Sequence, residues 1–325
     1  MSEDELVAAI ARVVGDGGTR VLIGIGDDAA SWQPSRSQRS VITTDALIED
    51  VHFARAWMSF HDIGVRSMAA NLSDIAAMGA RPLLATVALG VPANVTNEML
   101  LECYRGMAET ARAAGVTIAG GDLSRAPALT LAITVVGEVR PTNLKRRSGA
   151  LPGDILAVTG ELGASRAGLA HLRGEIVLEG DVAKSALRAF RTPIARCEQG
   201  RFLGASRNVH AMMDCSDGLS SDVARLAHAS GAGARIDSVP VAHAGFVAAA
   251  ALGQSPDAFA LAGGEDFELL VAVAPRAFEH LSARFAARFG GPLLRVGVVE
   301  ADERLVVVNQ GVEQPLTRSG WDHFS

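Results

Sequence analysis

The sequence predicts an α/β protein of two domains, and three observations carry the prediction. Short β-rich runs alternate with amphipathic helical stretches along most of the chain. The length, 325 residues, leaves room for about two domains of ordinary size. A polar, basic connector with two prolines, "RPTNLKRRSGALPGD", parts two α/β halves of similar size. The boundary is expected near residues 140–150, giving an N-terminal domain over 1–145 and a C-terminal domain over 146–325.

In the first half, "SVITTDAL" reads as a strand from its β-branched residues. Residues 62–78 read as a helix, because Val65, Met68, Ala69, Leu72, Ile75 and Ala76 fall on one face at i, i+3, i+4, i+7 spacing. Asn71 and Asp74 share another face, and Gly79 and Pro82 are expected to stop the helix. "LLATVALGV" is a strand, residues 96–114 a helix and "ALTLAITVVGEV" a strand. The second half opens with the strand "ILAVTG" and continues through helical segments to about residue 205. "VHAMMDCSDGLSSDVARLAHASGAG" follows as a strand, an acidic turn and a helix, and "FELLVAV", "LLRVGVV" and "RLVVVN" as later strands.

Composition narrows the function classes. The first residues, "MSEDELVAAIARVV", carry acids where a signal peptide has a basic region, and no apolar run approaches the ~18 residues of a membrane span. A soluble, cytoplasmic protein is expected. Cys103, Cys197 and Cys215 lie far apart and match no zinc spacing, which fits unpaired thiols in a reducing compartment. The net charge is -6 and "LKRRSG" is the one compact basic cluster, too little for a nucleic-acid footprint.

The chemistry lies in acidic, glycine-flanked turns: "GIGDDAA", "TTDALIEDVHF", "NLSDIAAMGA", "GGDLSR", "DCSDGLSSD" and "GGEDFEL". "GIGDDAA" also satisfies a loose dinucleotide pattern, G-x-G-x-x-A, but two Asp side chains would repel a pyrophosphate and no helical period follows. Small neighbours let a backbone approach a ligand, and carboxylates bring Mg2+, which prefers oxygen ligands and leaves some positions to water and phosphate. Together they describe a nucleotide–metal site where strands end or helices begin. Taken singly, each turn has a local alternative: Ser216 or Asp217 as the cap of a helix starting near Leu219, Asp74 as a solvated helix residue.

In their order along the chain these motifs, with "RRSGALPGD" and the terminal "GWDHF", resemble those of the thiamine-monophosphate kinases. That family shares a superfamily with aminoimidazole ribonucleotide synthetase and selenophosphate synthetase. "GGEDFEL", His52 and "GWDHF" resemble the kinases most specifically. The resemblance implies an ATP-dependent enzyme that phosphorylates thiamine monophosphate to thiamine diphosphate with several Mg2+ ions. It also implies an N-terminal α/β domain whose sheet pairs across a homodimer into a barrel-like core, and a C-terminal α/β domain that closes over nucleotide and substrate. No nucleic acid or membrane partner is implied.

Motif by motif, Asp28, Thr43, Thr44, Asp45, Asp74, Asp122, Asp214 and Asp217 resemble the metal ligands, with Asp45, Asp74 and Asp122 nearest the chemistry. Tyr104, Gly121, Asp122, Arg147 and Ser216 resemble ATP contacts, and His52, Glu265 and Trp321 thiamine-phosphate contacts. Tyr104 reads equally well as an apolar helix residue, His52 as a turn or core histidine, and Trp321 as packing of the chain end. The residues also leave open another superfamily enzyme acting on a different substrate, or a non-catalytic ATP/Mg2+ sensor.

Overall fold

A computed structural model describes residues 3–15, 20–25, 29–309 and 311–317, with Glu3 and Asp4 as backbone only. The chain divides into two compact units, one of Met1–Ile75, Ala80–Pro141 and Arg191–Pro193, the other of Ala76–Gly79, Thr142–Phe190 and Ile194–Ser325. No helix among the described residues is long and apolar enough to cross a membrane.

The first unit runs α1 (Glu3–Val14), a short hairpin of β1 (Val21–Ile23) and β2 (Ser31–Trp32), β3 (Arg39–Ile48), α2 (Phe60–Ala77), β4 (Arg81–Val91), α3 (Asn97–Ala113), β5 (Thr117–Arg125) and β6 (Thr130–Val139). Strands β3, β6, β4 and β5 form a sheet in that order, parallel only between β4 and β5. The six apolar residues predicted on one face of α2 are all buried, as their spacing requires. Helices α2 and α3 touch backbone to backbone: a Cβ on Gly64 would lie 2.0 Å from the Cys103 carbonyl oxygen, and one on Gly106 2.0 Å from that of His61.

Three sequence expectations are corrected here. Gly79 ends α2 at φ 66°, but Pro82 is no helix stop; it is the second residue of β4, beside a shift in its register with β6. "GGDLSR" is not a turn but part of β5, which a diglycine of poor β propensity concealed. Its pairing with β4 is parallel, joined by the crossover helix α3. Asp45 and Asp122 therefore lie inside strands, not at their ends.

The two faces of this sheet differ. Leu47, Leu131, Ile133, Val135, Val87 and Leu89 are buried on one. On the other, the rows Thr44–Thr134–Thr86 and Ala46–Ala132–Ala88–Asp122 run across the strands, with Ile42 71% exposed beside them.

The second unit contains β7 (Ile155–Val158), α4 (Ala164–Leu172), α5 (Gly180–Arg191), α6 (Cys197–Gly204), β8 (Val209–Cys215), α7 (Leu219–Ala229), β9 (Gly233–Ile236), α8 (His243–Ala251) and α9 (Pro256–Leu261). It ends with β10 (Glu268–Val273), α10 (Pro275–Phe289), β11 (Leu294–Glu300), β12 (Leu305–Asn309) and β13 (Val312–Pro315). The sheet order is β13-β12-β9-β11-β7-β10-β8, with only β9–β12 parallel. Every residue of β10 is buried, so this strand lacks the alternation of a half-exposed one. It places its N-terminal end beside the C-terminal end of β8, pairing Glu268 with Cys215 and Leu269 with Asp214.

Candidate active site

In the first unit, two polar residues of α2 reach β3. Thr43 Oγ1 donates to Asp74 Oδ2 at 2.5 Å, and the Asp45 backbone N–H donates to Asn71 Oδ1 at 3.0 Å. Asn71, fully buried, is held by its own amide nitrogen on the Ser67 carbonyl. Asp74 is thus no freely solvated helix residue. Its partner Thr43 shares the helix-facing side of β3 with Asp45, because strand side chains alternate. Thr44 consequently points to the opposite face, where its hydroxyl donates to the Ile133 carbonyl and accepts from Thr134.

Asp122 does not join the Asp45–Asp74 group. It sits on β5, three strands from β3, which at ~4.8 Å per strand is roughly 14 Å, and its row places it on the Thr44 face. There it accepts from Ser124 Oγ at 2.7 Å. The contiguous ligand set expected from the motifs therefore splits between two faces. Gly121 has a packing reason to be glycine, since a Cβ would lie 1.9 Å from the Val87 carbonyl oxygen. Tyr104 is buried within α3, 4% exposed. His52 is a turn residue whose Nδ1 accepts from the Ile48 N–H at 3.1 Å, leaving Nε2 as the protonated nitrogen.

In the second unit, Asp214 lies buried near the end of β8, and Ser216 and Asp217 lie in the turn ahead of α7. Neither Ser216 nor Asp217 caps that helix by its side chain; the N-cap is Gly218 at φ 111°. The Asp217 carboxylate is bound instead by Arg225 Nη1, which also donates to Asp222 Oδ1 at 2.9 Å. Asp222 is wholly buried, receives the Asp217 backbone N–H, and its second oxygen has no hydrogen-bond partner. Burial, reinforced by Asp214 and Asp217, raises its pKa to about 8. Arg147 is exposed on the connector and makes no ion pair among the described residues.

The "GGEDFEL" turn lies against this one. The Glu265 N–H donates to the Ser216 carbonyl at 2.7 Å and the Phe267 N–H to the Cys215 carbonyl at 2.9 Å. Glu265 and Phe267 both take left-handed backbone conformations, φ 63° and 52°, which cost about 1–3 kcal/mol each in a non-glycine residue. Asp266 between them accepts from the Gly163 N–H at 2.9 Å and that of Ser165 at 3.4 Å, anchoring the turn to the start of α4. Burial raises the Asp266 pKa to about 7 against those two hydrogen bonds. Glu268, 4% exposed, is gripped by the Arg196 guanidinium and by Thr159 Oγ1 at 2.6 Å.

Asn71, Asp222, Arg225, Asp266, Glu268 and Arg196 are the residues that motif reading missed. Asn71 shares a helix face with Asp74, and Asp222 closes "DCSDGLSSD", so both left a signal; Arg196, 72 positions from Glu268, left none. Asp28 and Trp321 lie outside the described residues. Among the described residues, no group of three or more Asp, Glu, His or Cys side chains forms a metal-holding cluster.

These features define a two-domain α/β protein with acidic turns on each unit. The family model "AIR synthase related protein, N-terminal domain" matches residues 26–139, and its C-terminal counterpart residues 152–309. A thiamine-monophosphate kinase of Rhodopirellula baltica is 40% identical over 86% of this chain and 84% of its own. The crystal structure of a thiamine-monophosphate kinase from Stenotrophomonas maltophilia superposes with a TM-score of 0.82 at 30% identity, over 95% of this chain and 96% of that one. AaThiL, solved in complex with AMPPCP and TMP, superposes with a TM-score of 0.78 at 28% identity, over 99% and 97%. The chain belongs to the thiamine-monophosphate kinase family of AIR synthase related proteins.

Proposed function

We propose that this protein is an enzyme that transfers the γ-phosphoryl group of ATP to thiamine monophosphate, giving thiamine diphosphate by direct in-line transfer. The observation that carries this reading is the alignment of nearly the whole chain with thiamine-monophosphate kinases, one of them solved with a nucleotide analogue and TMP together.

The acceptor is a phosphate oxygen, already ionised at neutral pH, so no general base has to activate it. Repulsion is the obstacle: two unit charges ~4 Å apart repel by about 4 kcal/mol at an effective dielectric of 20. The residues fit Mg2+ as the neutralising group. Their donors are hard oxygens, carboxylates with a threonine hydroxyl on Asp74, which suits an ion that completes its shell with water and phosphate. When bound, Mg2+ supplies positive charge to the phosphates and fixes their geometry.

In this reading Thr43 orients Asp74, Asn71 fixes the main chain of Asp45, and Asp45 and Asp74 are the paired ligands of the first unit. Asp214 and Asp217 serve the same purpose in the second unit, and Asp28 adds to the set. Asp122 and Gly121, on a strand apart from the Asp45–Asp74 pair, serve the nucleotide. Ser216 contacts ATP, and Arg147, exposed and without an ion pair among the described residues, complements phosphate charge. Glu265 and Trp321 receive the cationic, aromatic thiamine end and His52 its phosphate side.

The open sheet face with Ile42, Thr44, Thr86 and Thr134 supports pairing of this sheet with that of a second copy into a barrel-like homodimer core. The N-terminal domain thus carries the ATP/Mg2+ and dimer functions, and the C-terminal domain closes over the ligands. Three buried, unbridged cysteines fit action in the cytoplasm. The test is thiamine diphosphate formation by the purified chain with ATP, Mg2+ and thiamine monophosphate. Turnover that depends on all three is expected, and its absence overturns the reading.

A further inference from the structure

We infer that Arg225 is a built-in competitor for Asp217, a guanidinium that occupies the carboxylate until a divalent cation displaces it. The inference rests on the reading of Asp217 as a cation ligand and says how that site is filled.

Four observations carry it. Arg225 Nη1 bonds Asp217 Oδ2 and Asp222 Oδ1 together, so one cation serves two carboxylates. Its side chain is 38% exposed, against 28% for Asp217 and none for Asp222, so the guanidinium can swing toward solvent while both acids stay in place. Asp217 is not fixed by Arg225 alone: its backbone N–H is held by Asp222, and Gly218 begins α7 just behind it. The main chain of Asp217 therefore keeps its place when the arginine leaves. Finally, Asp222 retains an oxygen with no hydrogen-bond partner, so one guanidinium does not satisfy every acceptor of this acidic pair.

A ligand whose site is already filled by an internal group binds with its affinity reduced by the fraction of time that group is away. Removing the group should tighten binding. A merely structural arginine has the opposite signature, since its loss would loosen the turn and weaken the site.

The experiment is titration of the full chain with Mn2+ alone, without nucleotide, read as free Mn2+ by electron paramagnetic resonance. Arg225→Gln is expected to bind Mn2+ about tenfold more tightly than the wild type. Arg225→Lys keeps the charge but loses the planar fork, and should gain part of that increase. Should Arg225→Gln not fold, the double variant Asp222→Asn/Arg225→Gln removes the buried carboxyl with its partner and should give the same tightening. Asp217→Asn should abolish the responding step in every background.

Unchanged or weaker Mn2+ binding in Arg225→Gln and in the double variant, with Asp217→Asn still abolishing the step, overturns the competitor role and leaves the metal reading intact. A lysine variant identical to the wild type overturns it as well, because the effect would then be net charge without displacement. An isotherm unaffected by Asp217→Asn overturns the assignment of Asp217 itself, and the inference with it.

Discussion

The backbone N–H of Glu265 donates to the carbonyl of Ser216 at 2.7 Å. This one bond ties the residue assigned to the thiamine end of the acceptor to the residue assigned to ATP. A second bond, from Phe267 to Cys215, fixes the direction of the connection. Two turns from distant parts of the sequence are thereby joined, and positioning of this kind is what a transfer between two bound anions needs.

Holding Glu265 there requires a left-handed backbone, φ 63°, and this gives a paired test. Glu265→Ala and Glu265→Gly both remove the carboxylate, and each should raise KM for thiamine monophosphate by ~10-fold or more while KM for ATP changes little. Only glycine takes this backbone without strain, so Glu265→Gly should be more stable than Glu265→Ala by about 1 kcal/mol in urea unfolding. Equal stability of the two would show that the turn relaxes on losing its side chain.

Asp74→Asn separates chemistry from folding. An asparagine carbonyl oxygen still accepts from Thr43, so the bond between β3 and α2 survives, but the anionic charge is lost. Turnover at saturating Mg2+ should fall by ~100-fold or more with an unchanged circular dichroism spectrum. Near-wild-type turnover of the folded variant would remove Asp74 from the site.

The open sheet face can be tested in the same way. Ile42 is 71% exposed on a strand beside rows of threonine and alanine, a surface that a second copy would cover. Ile42→Lys should leave each chain folded, because that side chain is mostly exposed in the single chain, but should shift light-scattering mass from dimer toward monomer. A dimer that persists at micromolar protein would place the interface elsewhere.

How much of this was readable beforehand depended on how local the cause was. Helix α2 was legible because one stripe of apolar residues must face a core, and Asn71 and Asp74 then had to share a side. Strand β5 was not, because Gly120 and Gly121 carry turn-like propensity and only pairing with β4 makes them extended. The split of Thr43 from Thr44 follows from the two-residue period of any strand, yet a motif treats neighbours as a unit. Arg225 and Arg196 stayed hidden for another reason. Their meaning lies in which carboxylates they reach, and that is decided by tertiary packing.

Asp266 supplies a prediction in pH. Burial lifts its pKa from 3.8 to about 7, with Glu268 and Glu265 adding to the lift and the Gly163 and Ser165 N–H groups opposing it. The folded chain therefore holds this proton more tightly than the unfolded chain. The resulting stability is fully present below pH ~4 and is lost as pH rises through about 7. Asp266→Asn has no proton to lose, and its carbonyl oxygen still accepts from Gly163. The Tm of the variant minus that of the wild type should rise between pH 5 and about pH 7 and level off above it. Asp222, also raised by burial, to about 8, titrates in both proteins and cancels from the difference. A difference constant across that range in differential scanning fluorimetry would mean that Asp266 stays ionised in the folded chain, and that the N-terminus of α4 carries its charge without penalty.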